Sequence, residues 1–354
     1  MPLPELNDRE RRILEAVIQS YVETAEPTGS RSLARRFGFG VSPATIRNTM
    51  SDLEEMGYLF HPHTSAGRVP TDMAYRVYVD SLIRLAPLPT IDGDDLRERL
   101  AAGGSAIETI LRCAAQSLGV LTQELGIALG PRLDQAVLQR LELVRLTTER
   151  LLLVLTLRGG AMRTIFVEVP DSIADDAMAE VSVVLNERLA GLTLREIRTS
   201  LAQRLRDTAA PGAAGELLNI FVQQGDVVFD VPLSSDDEDV VLGQASMLAE
   251  QPEFATGESL RRLIALTETR QQLAELLRKR NGATSADPAM PGLTITIGNE
   301  HADPRLENLT IVTAEYHAGS LGGVIGVIGP TRMPYEKVIS LVSHTSRLIS
   351  ALLD

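Results

Sequence analysis

The sequence is poor in the residues from which disulfides, zinc sites and membrane anchors are built. Its 354 residues include one cysteine, Cys113, which excludes an intramolecular disulfide and a cysteine-based zinc module. The most apolar stretch, Leu151 to Leu157, is far shorter than the roughly 18 residues that cross a bilayer. The segment after Met1 lacks the basic and apolar regions of a secretion signal. We therefore expect a cytoplasmic protein without membrane contact.

Basic residues are also in deficit, but the deficit is not uniform. The chain has 34 lysines and arginines against 47 acidic residues, a formal net charge of -13, which alone argues against nucleic-acid binding. Between Thr28 and Met50, however, four arginines and no acidic residue give a local charge of +4. Those arginines are Arg31, Arg35, Arg36 and Arg47. This segment is therefore the candidate phosphate-binding region.

The polar residues form no recognisable catalytic or cofactor motif. His61 and His63 have no third ligand near them in sequence, and the acidic run Asp236 to Asp239 lacks the spacing and the glycine of a calcium loop. The glycine-rich run Gly319 to Gly329 lacks the Gly-Lys-Ser/Thr end of a phosphate-binding loop, which favours a tight turn followed by a packed strand. We predict no metal, no cofactor and no enzymatic activity.

The N-terminal segment has the pattern of three short helices. Asn7 or Asp8 caps the first, Ser30 is predicted to cap the second, and Ser42 followed by Pro43 begins the third. Proline suits the first helical position because no intrahelical hydrogen bond is lost there. The predicted helices run from Asp8 to before Pro27, from Arg31 to Phe37 and from Pro43 to Met56.

The third helix has one apolar face and one face suited to DNA. Ile46, Met50 and Leu53 recur at helical spacing and are expected in the core. Small or hydrogen-bonding residues occupy the opposite face near the helix N-terminus: Ala44, Arg47, Asn48 and Ser51. Arginine can bind guanine through two hydrogen bonds and asparagine can bind adenine in the same way. An ordinary solvated helix face is the alternative interpretation.

A hairpin is predicted directly after the third helix. Tyr58 to Phe60 and Arg68 to Val69 are typical of strands, and the loop between them carries side chains that can reach phosphates or a minor groove. Three helices followed by such a hairpin form a winged helix-turn-helix. The candidate DNA-binding residues are Arg31, Arg35, Ser42, Ala44, Thr45, Arg47, Asn48, Ser51, His63, Thr64, Ser65 and Arg68.

Several segments resemble the heat-inducible transcription repressor family HrcA. The longest is GYLFHPHTSAGRVPTD at residues 57–72, which continues as YRVYVD at 75–80. The others are SPATIRN at 42–48, QPEF at 251–254 and GVIGPTRMPY at 326–335. The resemblance implies a dimeric repressor of chaperone operons that binds an inverted-repeat operator and is kept active by the GroEL-type chaperonin. It also implies a GAF-like domain interrupted by an inserted dimerising domain.

The remainder of the chain is typical of an α+β multidomain protein. The predicted domains are 1–88 for DNA binding, 89–192 with 289–354 for the GAF-like domain, and 193–288 for the inserted dimerising domain. A helix is expected from Ser105 to Leu129, and strands within Ala136 to Val169 are expected to pair with strands within Leu293 to Ile328. The Ala86 to Pro89 segment is the expected hinge.

A helix predicted from Glu258 to Arg280 supplies candidate dimer contacts. They are Leu260, Leu263, Ile264, Leu273 and Leu277, for which an intradomain core is the alternative role. A second function also stays open: the GAF-like domain could bind a small-molecule ligand that controls the winged helix, without participation of a chaperonin.

Overall fold

The computed structural model describes residues 6–63, 66–85, 96, 100, 107–131, 135–158, 162–169, 173–206, 212–228, 240–281, 290–318 and 321–353. The predicted hinge at Ala86 to Pro89, the acidic run at Asp236 to Asp239 and Gly159 and Gly160, for which the sequence predicts a turn, lie outside these residues. In the part of the chain that is described, no helix is long and apolar enough to span a membrane.

Residues 6–63 and 66–85 form an N-terminal unit with the predicted order of three helices and a hairpin. Its elements are α1 (Asp8–Thr24), α2 (Ser30–Phe37), α3 (Pro43–Glu55), β1 (Leu59–Phe60), β2 (Val69–Pro70) and α4 (Asp72–Leu85). The two strands are antiparallel, with Leu59 opposite Pro70. Local sequence signals that act within a few residues therefore predicted this unit well.

Capping explains where these helices begin. Asn7 caps α1, with its side-chain oxygen 3.0 Å from the backbone nitrogen of Glu10, and Ser42 caps α3, with its Oγ 3.1 Å from the backbone nitrogen of Thr45. The predicted cap at Ser30 is wrong. Gly29 occupies the cap position of α2, and Ser30 is a buried first residue of the helix.

A five-stranded antiparallel sheet forms the second unit. Its strands are β3 (Leu125–Leu129), β7 (Val240–Leu242), β8 (Leu293–Ile297), β9 (Leu309–Ala318) and β10 (Leu321–Pro330), in the order β7-β3-β10-β9-β8. Its helices are α5 (Ile107–Thr122), α9 (Ser246–Ala249), α10 (Gly257–Glu268), α11 (Arg270–Asn281) and α12 (Tyr335–Leu353). The neighbours Ile311 and Val312 belong to separate apolar cores, because successive side chains of a strand point to opposite faces. Helices therefore cover both faces of this sheet.

A separate three-stranded sheet forms the third unit. It consists of β4 (Leu138–Arg145), β5 (Arg150–Leu157) and β6 (Met162–Glu168), with α6 (Asp175–Leu189), α7 (Leu194–Leu205) and α8 (Ala213–Val228). Leu153, Leu155, Val181 and Leu217 are fully buried in its core. In sequence this unit lies between β3 and β7 of the five-stranded sheet, so it interrupts the second unit.

Two predictions about these strands are wrong. The helix predicted from Ser105 to Leu129 ends at Thr122, and Gln123 adopts a left-handed backbone with φ 60° that turns the chain into β3. No glycine or proline marks this turn, and β3 is buried at every position, so it lacks the alternation of a half-exposed strand. The expected pairing of Ala136–Val169 with Leu293–Ile328 is wrong as well, because β4 to β6 pair only with one another in the described sheets.

The helix predicted from Glu258 to Arg280 is two helices, α10 and α11, separated at Thr269. Three of the five candidate dimer residues, Leu263, Leu273 and Leu277, are buried against the five-stranded sheet of their own chain. They belong to the same apolar core as residues of β3 and β10, so their role in this structure is in the core. Leu260 and Ile264 are exposed.

Candidate nucleic-acid interface

Helix α3 buries the face that its sequence pattern predicts. Ile46, Met50 and Leu53 are buried in the core of the N-terminal unit. On the opposite face Ala44, Arg47 and Asn48 are exposed, and Ser51 is half-buried. The N-terminal half of α3 therefore presents a small residue and two strong hydrogen-bonding side chains to solvent.

The side chains of Ser42 and Thr45 are engaged in hydrogen bonds at the start of α3. The Oγ of Ser42 accepts the hydrogen bond from the backbone nitrogen of Thr45 and lies 2.9 Å from the Thr45 Oγ1. Thr45 is half-buried. These two side chains fix the helix N-terminus, whose partial positive charge favours a nearby phosphate.

A concave cleft of about 540 Å³ lies between the start of α2, helix α3 and the hairpin. Three arginines and one histidine line it: Arg31, Arg47, His61 and Arg68. The other lining residues are Thr28, Gly29, Ser30, Met50, Ala66 and Gly67. The structure thus brings together basic residues that are separated in sequence, and an anionic backbone is the chemistry that such a cleft suits. Arg35 is exposed on α2 but is not among the residues of the cleft.

Arg68 does not extend from the hairpin tip as the sequence pattern suggested. Its side chain is 13% exposed, and its Nη2 lies 2.7 Å from Oε2 of Glu54 on α3. The other carboxylate oxygen of Glu54 lies 2.9 Å from Nδ1 of His61. The sequence analysis missed this link because Glu54 lies on a different element, and spacing along the chain does not show which helix residue the hairpin contacts. Glu54 holds the base of the hairpin against α3.

Of the other three predicted hairpin residues, one lies among the described residues. His63 is exposed, whereas Thr64 and Ser65 lie outside the described residues. Among the described residues no group of three or more histidine, cysteine, aspartate and glutamate side chains could hold a metal ion.

The hairpin is also fixed to the connection between α1 and α2. The backbone nitrogen and oxygen of Thr28 each form a 2.9 Å hydrogen bond with the backbone of Arg68. Gly67 lies so close to this segment that an added Cβ would be 2.4 Å from the carbonyl carbon and oxygen of Thr28. Only glycine permits this approach, so the hairpin position depends on residue 67.

Gly67→Ala is therefore expected to displace the hairpin. Overpacking of this kind costs about 1 to 3 kcal/mol, so the melting temperature and the affinity for DNA should both fall. The matched control is Gly257→Ala, where an added Cβ meets nothing within 4 Å. Thermal unfolding and DNA titration of both variants test the prediction. Equal behaviour of the two variants would show that the hairpin adjusts to the methyl group.

Comparison with known proteins identifies relatives over the full length of the chain. The family model described as HrcA protein C terminal domain matches residues 108–339. The Heat-inducible transcription repressor HrcA of Chlorobium phaeobacteroides (strain BS1) is 39% identical over 354 residues, covering 99% of each chain. The protein of the same name from Geobacter sulfurreducens is 36% identical and also covers 99% of each chain.

One solved structure has a similar fold. It is a crystal structure of a hypothetical protein, 21% identical in sequence, with a TM-score of 0.67 and coverage of 99% of both chains. At this identity the likeness concerns the arrangement of the backbone, so it supports the mixed α+β architecture described above.

Proposed function

The chain belongs to the HrcA family of heat-inducible transcription repressors, and from this premise we propose that it represses chaperone operons by binding an inverted-repeat operator as a homodimer. It acts on DNA in the cytoplasm and is a regulator without enzymatic activity. The observation that carries the proposal is the basic cleft beside the exposed N-terminal half of α3.

In this proposal the N-terminal unit is a winged helix-turn-helix. Helix α3 lies in the major groove, with Arg47 and Asn48 against base edges, while Ala44 permits close approach. Arg31 and Arg35 at α2 bind the phosphate backbone, and the hairpin follows the adjacent backbone. The contribution of Arg68 is to hold the hairpin through Glu54, which replaces the direct phosphate contact expected from the sequence.

The five-stranded unit is, in the same proposal, the GAF-like domain. Its antiparallel sheet lies between helices on both faces, with α5 and α12 on one side and α10 and α11 on the other. The third unit, inserted between β3 and β7, takes the role of the dimerising domain. In this proposal the inserted domain lies between β3 and β7, and it begins earlier in the chain than the range 193–288 expected from the sequence.

An exposed apolar sheet face supports that role. On the side of β4 to β6 away from the helices, Phe166 is 67% exposed and Met162 is 64% exposed. Phe166 pairs with the half-buried Leu152, which also faces the exposed Val144. We call Val144, Leu152, Val154, Met162 and Phe166 the outer face. Such a face is typical of an interaction site.

Charges at the rim of the outer face suit a second copy of the same chain. Arg140 lies 2.9 Å from Glu142, and Arg150 lies 3.3 Å from Glu168. A two-fold interface joins a surface to itself, so a patch that carries both signs of charge can pair with the same patch of a second copy. The two-fold axis also matches an inverted-repeat operator, in which each recognition helix reads one half-site.

Chaperonin dependence is the regulatory part of the proposal. Leu125 of β3 pairs with Ile328 of β10, and the whole third unit lies between them in sequence. Pairing of distant segments is slow and exposes apolar surface during folding. The GroEL-type chaperonin would rescue such intermediates, so less active repressor remains when heat-damaged proteins occupy the chaperonin.

Refolding measures this dependence. Denatured protein diluted into buffer is expected to recover only a minor part of its operator binding, and addition of a GroEL-type chaperonin with ATP should raise the recovery several-fold. Chaperonin without ATP is the control, because it captures the chain without releasing it. Full spontaneous recovery that chaperonin leaves unchanged would contradict the regulatory proposal and leave DNA binding intact.

The ligand-regulated alternative needs a cavity in the second unit. A cleft of about 610 Å³ is lined by residues of α11 and of the segment after β8, among them His301 and Arg305. Arg305, however, donates hydrogen bonds to Asp303 and Gln272 of the same chain. A thermal-shift survey of metabolites would support this alternative if a ligand at about 100 times its dissociation constant stabilised the protein by roughly 2.7 kcal/mol.

A further inference from the structure

Two sequence motifs that the DNA interface does not use meet at the junction between the first two units. They are QPEF at residues 251–254 and GVIGPTRMPY at 326–335. Arg332 of the second motif donates from Nε to Oε1 of Glu253 at 2.6 Å and from Nη2 to Oε2 at 3.1 Å. Its remaining Nη1 donates to the backbone oxygen of Val22 at 2.7 Å. One guanidinium thus joins both motifs to the N-terminal unit.

The contact with Val22 is directed at a helix end. Val22 lies in the last turn of α1, where backbone carbonyls lack partners within the helix and carry partial negative charge. A cation at this position satisfies a carbonyl and interacts favourably with the helix dipole. Because Glu253 binds the other edge of the guanidinium in two places, the direction of Arg332 is fixed.

The surroundings of Arg332 exclude most of the solvent. The Arg332 side chain is 14% exposed. Tyr75 of α4 lies near it, and the buried ring of Tyr75 is 5.7 Å from the buried ring of Tyr335 on α12. Buried Glu124 accepts a 3.0 Å hydrogen bond from Nε2 of Gln251, and burial raises the pKa of this carboxyl well above its usual range. In such an environment charge-assisted hydrogen bonds are stronger than at an open surface.

A second set of contacts holds the other side of the junction. Arg76 of α4 donates to Oε1 of Glu300 at 2.6 Å and to the backbone oxygen of Ile295 in the edge strand β8 at 2.8 Å. The Asp72 carboxylate accepts from the backbone nitrogen of Asn299 at 2.9 Å and from its side-chain nitrogen at 2.8 Å. The N-terminal unit is therefore attached at α1 and at α4, and its rotation on the sheet unit is restricted.

We propose that Arg332, held by Glu253 and bound to the end of α1, is a positioning residue that fixes the recognition helix relative to the rest of the protomer. This inference rests on the proposed function, since orientation matters only if two protomers read two half-sites. Each half-site is contacted by one N-terminal unit, whereas simultaneous contact with both requires the correct angle and spacing. Arg332 acts through the junction and does not touch DNA.

The test uses full-length Arg332→Ala and the milder Glu253→Gln, which keeps a hydrogen-bond acceptor and covers the case in which the first variant fails to fold. The matched control is Arg145→Ala. Arg145 likewise binds a carboxylate, Asp175, and a backbone oxygen, that of Ile173, but it lies in the third unit. Each protein is titrated with a full inverted-repeat duplex and with a duplex that contains one half-site.

Arg332→Ala and Glu253→Gln are both expected to lose affinity for the full site, about tenfold for Arg332→Ala. Their affinity for the half-site should stay within about twofold of the wild-type value, because only binding to two half-sites at once depends on the angle between the N-terminal units. Hydrogen exchange supplies a readout that does not involve DNA. The backbone amide of Asn299, which donates to Asp72 across the junction, should exchange at least about tenfold faster in Arg332→Ala and at the wild-type rate in Arg145→Ala.

The assignment of Arg332 would be overturned if the Asn299 amide exchanged at the wild-type rate in both Arg332→Ala and Glu253→Gln. Equal losses of affinity for the full site and the half-site would overturn it too. Tighter binding of the full site by Arg332→Ala would overturn it as well, because the wild-type junction would then hold the N-terminal unit in an orientation that hinders operator binding. If the wild-type protein bound no inverted repeat, the proposed function would fail, while the exchange measurement would still decide whether Arg332 fixes the junction.

Discussion

Phe166→Asp is expected to convert the proposed dimer into a folded monomer at micromolar concentration. The phenylalanine is mostly exposed in the protomer, so the aspartate stays hydrated there and costs little stability. In the dimer the same carboxylate would be buried in an apolar interface without a partner, which is strongly unfavourable. Light scattering gives the mass, and affinity for a full operator should fall about 100-fold because the two half-sites are no longer linked.

Two control variants separate the possible interfaces. Val183→Asp changes another exposed apolar residue of the third unit, on α6 rather than on the outer face, and should leave the dimer intact. Ile264→Asp tests the exposed part of the helix from which the sequence analysis drew its dimer candidates. If the Phe166→Asp protein stayed dimeric and the Ile264→Asp protein were monomeric, the dimer interface would be assigned to α10 and not to the outer face.

Arg47→Ala and Asn48→Ala are each expected to lose about 1 to 3 kcal/mol of operator binding while affinity for random DNA stays nearly unchanged, as for lost base contacts. Both side chains are exposed on the face of α3 opposite its buried stripe, so neither substitution removes core packing. Mobility-shift or fluorescence titrations with operator and random duplexes at one salt concentration measure the difference.

The control for these two variants is Arg35→Ala. Arg35 is exposed on α2, outside the basic cleft, and a phosphate contact there should weaken operator and random DNA to the same extent. Losses by Arg47→Ala and Asn48→Ala that are equal on both kinds of DNA would make these residues phosphate contacts and would contradict base recognition by α3.

The N-terminal unit was predictable because its determinants are local. Asn7, Ser42 and Pro43 act within one helical turn, and Ile46, Met50 and Leu53 define the buried face of α3 by spacing alone. The position of Arg68 was not predictable in this way. Its partner Glu54 lies on a different element, and the pair forms only when the hairpin folds back onto α3.

The sheet units were harder to derive for the same physical reason. Strand β3 is a short, fully buried apolar segment without the alternation of a half-exposed strand, and within Leu125–Leu129 only Gly126 argues against continuing the helix that precedes it. Its pairing with β10 and β7 is decided by tertiary contacts. Once β3 is assigned to a helix, the larger sheet lacks a strand, and the sequence pattern wrongly completes it with β4 to β6.

Selection of bound sequences from a pool of random DNA duplexes tests the central claim most directly. The full-length protein is expected to enrich an inverted repeat whose half-sites are separated by about 10 to 10.5 base pairs or a multiple of that spacing, as a two-fold dimer requires. The Asn48→Ala variant should enrich it weakly. Recovery of no common motif, or of a motif that Asn48→Ala enriches equally well, would contradict sequence-specific binding through α3.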